Sequence, residues 1–338
     1  MIRELCDHID QLDLALDQLA LKDRNFDRFA IMLVDNVVEL ALHQYAKHKK
    51  LFGSRWFDDT ENRVNDRVLE AALGQDFDAK VTLALQTGLI TAPWSRSINW
   101  LHSFRNSSYH AGLRHEGILH SLANFYLVTC CDLLVAYKPS SWSYGSQQTI
   151  SHRAAKYLGH TDGLRMLFDA AELFEAAWKR IRVVAVNMKC NMIADLVRDM
   201  SRTIDEADEQ IKFVATNSPR RGEYSRRQVV IDAQVWPLAF SEEGVEYARK
   251  NGYTGRLVQG PALATWLEGN FRGPSTVDPI PGWKRRLRSL SEEKDEHAAL
   301  DKYCNFIRQT QALRDALSDQ EARLNQYIQE QVDIMRGK

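Results

Sequence analysis

Three long stretches of this 338-residue chain contain neither glycine nor proline: residues 1–52, 164–218 and 284–336. Those two residues are the chief interrupters of helices, costing about 1 and about 3 kcal/mol relative to alanine in a helix interior. Nearly half of the chain is therefore open to long helices. The complement is just as uneven, because residues 219–282 hold six of the eight prolines and eight of the seventeen glycines. The expected fold class is mainly α, with the Gly/Pro-rich window 219–282 irregular or forming a small insert.

Apolar spacing fills in the elements. In NFDRFAIMLVDNVVELALHQYAKHKK, residues Phe26, Phe29, Leu33, Val37, Leu40 and Tyr45 fall mainly three or four apart, and Asn25 is a suitable N-cap. Further helices are expected at about 63–73, 78–88 and 95–109, with Pro93 separating the last two, and a mostly apolar one at 114–137. The serine-rich, uncharged SSWSYGSQQT after Pro139 reads as a linker over 141–150. It would divide a helical domain, 1–140, from a mostly helical region, 151–338. Within the latter, 164 to about 214 reads as one long helical segment. IDAQVW with Pro237 reads as a short strand or extended piece, and Ser241 before Glu242 and Glu243 as a helix start.

The charge balance is 44 Lys plus Arg against 45 Asp plus Glu, a net of −1. A uniformly basic nucleic-acid coat is excluded, whereas a local basic cleft is not. The composition, 44% hydrophobic and 26% charged, excludes global disorder. No apolar run reaches the roughly 18 residues that span a bilayer, and the N-terminus is charged from its third residue. A cytoplasmic protein without a membrane partner is the expectation. The five cysteines, Cys6, Cys130, Cys131, Cys190 and Cys304, show no C-x-x-C spacing, and the adjacent pair reads as buried thiols.

His102, His110, His115 and His120 crowd into nineteen residues and invite a zinc reading. In HEGILH, however, the second histidine stands at i+5, and five helical steps diverge by about 140°. No metal site is expected. Walker, dinucleotide and nucleophile-elbow fingerprints are absent as well.

SINWLHSFRNSSYHAG, residues 97–112, is the segment with distinctive chemistry. An amphipathic helix (Ile98, Leu101, Phe104) carries Arg105 and Asn106, with His110 just before Gly112. Arg105-Asn106 followed by His110 resembles the R-x(4–6)-H motif of the HEPN (higher eukaryotes and prokaryotes nucleotide-binding) superfamily. The resemblance covers about residues 20–140, taking in the upstream helix with Asp35 and Glu39 and the apolar helix that follows. The bare pattern also occurs at Arg3/His8, Arg96/His102, Arg114/His120 and Arg153/His160. The Arg-Asn pair, the helix-end position and the order of helices single out Arg105/His110.

Such a pair suits RNA cleavage without metal or cofactor. A 2′-hydroxyl attacks its own 3′-phosphate, a histidine moves a proton near neutral pH, and an arginine holds the charge on phosphate. The products would be a 2′,3′-cyclic phosphate and a 5′-hydroxyl. The resemblance implies an antiparallel helical bundle acting as a homodimer, with two motifs facing one another in a composite cleft. It also implies a toxin or anti-phage effector whose residues 151–338 meet a trigger or regulatory partner. Asn106 either orients the motif or makes a helix-end hydrogen bond. Tyr109 either stacks on a base or belongs to the core. Asp35 and Glu39, on one helix face, either position Arg105 or form an ordinary solvated face.

PRRGEYSRRQ (219–228) places Arg220, Arg221, Arg226 and Arg227 together, and WKRRLR (283–288) adds four cations. They read either as phosphate-tracking residues with Tyr224 and Trp283 as stacking platforms, or as exposed basic loops. Two other functions remain alongside the ribonuclease: a non-catalytic helical adaptor and an RNA-binding regulator.

Overall fold

The computed structural model describes residues 2–53, 66–110, 116–139, 150–159, 168–219, 224–273 and 276–337, excepting the side chains of 52, 53 and 107–110. It is 82% helical, and the described residues contain no strand. The mainly α expectation is met.

The chain forms two compact units, Met1–Leu196 with Lys294–Asp301, and Val197–Glu293 with Lys302–Lys338. The division therefore falls near Leu196 and not in the serine-rich stretch 141–150, which lies largely outside the described residues.

The first unit begins with α1 (Ile2–Ala20) and α2 (Arg24–Gly53), packed side by side. No glycine or proline separates them. Lys22 makes the turn at φ 52°, a left-handed conformation that non-glycine residues seldom adopt. The cap of α2 is Asp23, whose Oδ1 accepts from the Asn25 amide at 2.9 Å, rather than Asn25. Next come α3 (Asp66–Leu73), α4 (Phe77–Gln86), α5 (Ala92–His110) and α6 (Leu119–Ala136), the last preceded by a 3₁₀ turn at Glu116–Ile118. Short α7 (His152–Leu158) and longer α8 (Ala170–Asn187) follow.

The segment Glu116–Ala136 is long and apolar enough to cross a membrane, contrary to the sequence reading, but 78% of its apolar 18-residue window is buried inside the protein. It is the central helix of the unit, and α2 and α8 both pack on it. Its burial on several faces removes the polar stripe that an amphipathic surface helix shows.

The expected helix at 164–214 is two helices, α8 and α9 (Met192–Asn217), separated at Lys189 with φ 56°. Two of the three long Gly/Pro-free segments thus break at a left-handed lysine. The window 219–282 is also more regular than expected. It holds α10 (Arg226–Ala239), α11 (Glu242–Lys250) and α12 (Pro261–Asn270), before α13 (Ile280–Ser291) and α14 (Glu296–Met335) end the chain. IDAQVW lies inside α10, with Pro237 in its last turn, and is not a strand. Ser225 caps that helix through the Gln228 amide at 3.2 Å. Val229, Val230, Ala233 and Val235 enter the core on its inward side. Ser241 caps α11 as expected, accepting from Gly244 at 3.1 Å.

Candidate functional site

Asp35, on the middle of α2, is 1% exposed. An isolated carboxylate at that depth would cost several kcal/mol, and three neighbours offset the cost. Tyr126 of α6 donates its hydroxyl to Oδ1 at 2.7 Å. His102 of α5 sets Nδ1 3.0 Å from both carboxyl oxygens. Arg105, one turn further along α5, brings Nε to 3.5 Å from Oδ2. That distance makes an ion pair rather than a well-formed hydrogen bond. The His102 ring is fixed from its other side by Phe77 of α4, stacked at 3.8 Å and 7°. Burial and the adjacent carboxyl group push the Tyr126 hydroxyl well above its ordinary pKa, keeping it a donor.

Arg105 also donates through Nη1 to the Asn106 side-chain oxygen at 2.9 Å. Its side chain is 40% exposed. Nε is buried and faces the carboxyl group of Asp35, while the side chain as a whole remains partly exposed. Helix α5 ends at His110. The side chains of Tyr109 and His110 lie outside the described residues, as do His115, Arg220 and Arg221.

The structure brings together three of the residues singled out in the sequence: Asp35, Arg105 and Asn106. Glu39 is directed elsewhere, pairing with Lys80 of α4 at 3.3 Å. Lys80 is buried, so Glu39 neutralises an inward cation and does not orient Arg105. His102 and Tyr126 are the participants that sequence reasoning missed. The available signal for His102 was its i,i+3 spacing from Arg105, which puts both on one helix face.

The other R-x-H matches have their own structural engagements. Burial lowers His8 to about 4, Arg153 is held by Asp13 at 2.5 Å and Asp17 at 2.7 Å, and Arg96 pairs with Asp301 at 3.4 Å.

The basic stretches are largely committed internally. Arg226 bridges Asp208 at 2.5 Å and Asp278 at 2.6 Å, which removes it from the phosphate-tracking set. Arg227 donates to the Thr276 carbonyl at 3.0 Å. Lys284 joins Asp208 at 3.2 Å. Trp283 is buried edge-on against Phe306, and Tyr224 donates to buried Asp232 at 2.5 Å, so neither serves as an open stacking platform.

Among the described residues no group of three His, Cys, Asp or Glu side chains has the geometry to hold a metal ion. No protein-family model, curated protein or solved structure matches the chain.

Proposed function

We propose that the chain is a metal-independent endoribonuclease of HEPN type, with Arg105, Asn106 and His110 as its reactive set. The observation that carries this reading is the bracing of Arg105 between buried Asp35 and its own neighbour Asn106. A guanidinium held along one edge gives up less side-chain freedom when its exposed edge grips a phosphate, and it stays charged at any working pH. His110, at the end of the same helix, supplies the proton-transfer group.

Arg105 and His110 are five residues apart, so on an unbroken helix their directions differ by about 140°. A second copy of the chain resolves this by presenting its own motif across a composite cleft. The 2′-hydroxyl then attacks the adjacent phosphorus, the 5′-oxygen leaves with a proton, and the arginines hold the charge on the pentavalent phosphate. No cofactor enters this reaction. On this reading the protein is a growth-arrest toxin or anti-phage effector, with residues 151–338 receiving a trigger or regulatory partner.

The same contacts support a second reading, a non-catalytic helical adaptor in which Asp35 uses Arg105 only to clasp α5 to α2. Purified protein incubated with total RNA in EDTA separates the two. The ribonuclease reading expects cleavage that Arg105→Ala and His110→Ala each slow by about 100-fold or more. Cleavage indifferent to both substitutions would refute the site. RNA bound but left intact would favour a binding role.

A further inference from the structure

Two side chains at Asp35, His102 and Tyr126, stand outside the Arg105, Asn106 and His110 set. Tyr126 is completely buried, whereas His102 keeps 19% of its side chain exposed. The imidazole is held in one orientation. Its Nδ1 lies 3.0 Å from both oxygens of the Asp35 carboxyl group, and Phe77, stacked at 3.8 Å and 7°, fixes the plane of the ring. Nε2 is therefore on the ring edge turned away from the carboxyl group. Among the described residues nothing hydrogen-bonds to it. A buried carboxylate that holds Nδ1–H and leaves Nε2 open selects the tautomer able to accept a proton, and it stabilises the charged ring that results.

The carboxyl group has the capacity for this role. An ionised carboxylate offers about four acceptor positions. Asp35 uses Oδ1 for the Tyr126 hydroxyl and meets Arg105 at Oδ2. His102 and Arg105 are three residues apart on α5, so their directions differ by about 60° and their positions by about 4.5 Å along the axis. Both reach the same carboxyl group, and they leave it side by side. Arg105 and His110 diverge by about 140° instead. His102 and Arg105 can thus meet a single phosphodiester from one chain.

We propose that His102 is the general base of the ribonuclease reaction, taking the proton of the attacking 2′-hydroxyl on Nε2 while Arg105 holds the adjacent phosphate. The proposal rests on the ribonuclease reading and adds a catalytic residue to it. The 2′-oxygen bonds to phosphorus as its proton passes to Nε2, and Asp35 stabilises the imidazolium. The bond from phosphorus to the 5′-oxygen breaks, and that oxygen takes a proton from the His110 that a second copy presents. His102 then gives its proton to water and His110 regains one, so both histidines end as they began.

Two RNA substrates, with oxygen or sulfur as the 5′ leaving atom at one cleavage position, test this in EDTA. A thiolate leaves without being protonated, so the sulfur substrate needs the base and not the acid. His102→Gln, checked for an unchanged melting temperature, should slow both substrates by about 100-fold. His110→Ala should slow only the oxygen substrate. Diethyl pyrocarbonate provides an arm without substitutions. It should modify His102, located by peptide mass spectrometry, in step with loss of cleavage, and a 2′-deoxy form of the substrate should protect the ring. Unchanged rates in His102→Gln, slowing confined to the oxygen substrate, or His102 left unmodified would each overturn the proposal while leaving Arg105 and His110 in place. Unaltered protein that cleaves neither substrate would overturn the ribonuclease reading, and the role of His102 with it.

Discussion

Two carboxyl groups on α2 decide what their neighbours can do. Asp35 accepts from Tyr126 and His102 and faces Arg105, so removing any partner leaves an incompletely satisfied polar group in the interior. Tyr126→Phe deletes one hydroxyl without opening a cavity and should cost about 1–3 kcal/mol in denaturant unfolding. An unchanged midpoint would show that Asp35 does not need that donor. Asp27 acts through charge. His120 ordinarily titrates near 6.5, and foremost its 2.8 Å hydrogen bond with Asp27 raises it to about 10 in the fold. Below pH 6.5 the group is protonated whether folded or unfolded, and the pair contributes in full. As pH rises from 6.5 towards 10 the unfolded chain releases the proton that the folded one keeps, so stability falls. His120→Gln should flatten that decline. Parallel pH–stability curves for the two proteins would contradict the assignment.

At the level of elements, the sequence was most informative about where helices run and least informative about where they break. Missing glycine and proline marked the long helical stretches, and three- and four-residue apolar spacing located α2 and α5. The breaks at Lys22 and Lys189 are silent because lysine carries no left-handed signature, and only packing on either side imposes that conformation. Residues 225–239 misled for the opposite reason. Val229, Val230 and Ile231 favour strands, yet Ser225 with Gln228 three residues later is a helix-start signal that outweighs them here. Glycine content in 219–282 likewise reflects close packing as well as loops. A Cβ at Gly244 would stand 1.9 Å from the Leu238 carbonyl oxygen, whereas one at Gly269 meets nothing within 4 Å. Gly269→Ala should therefore stabilise by about 0.5–1 kcal/mol through helix propensity. Gly244→Ala should reverse that sign and cost about 1–3 kcal/mol through overpacking. Thermal unfolding of the pair measures both, and stabilisation by both would refute the close approach.

For the molecule as a whole, a net charge of −1 is compatible with a phosphate-handling site because the cations are so unevenly occupied. Arg226 and Lys284 are absorbed by Asp208 and Asp278, whereas Arg105 keeps part of its side chain at the surface. That sorting was not legible in the sequence, where the basic runs are the more conspicuous feature. Nor was the contribution of α14 to the first unit. Trp100 donates to Asp301 at 3.0 Å and His297 meets Ser97 at 2.9 Å, contacts that close loops of about two hundred residues and have no local pattern. Arg105 and Asn106 were visible because their chemistry is local to one helix turn, while the partners of Arg105 on α2 and those of Asp35 on α6 emerge only on folding.

The central claim is that the RNA supplies its own nucleophile and this chain supplies Arg105 and His110. A synthetic RNA spanning a mapped cleavage position, made with either ribose or 2′-deoxyribose at that one nucleotide, tests it most directly in EDTA. The account predicts cleavage of the ribose substrate to a 2′,3′-cyclic phosphate and a 5′-hydroxyl, with the deoxy substrate intact. Cleavage of both substrates, or products ending in a 3′-hydroxyl and a 5′-phosphate, would contradict it.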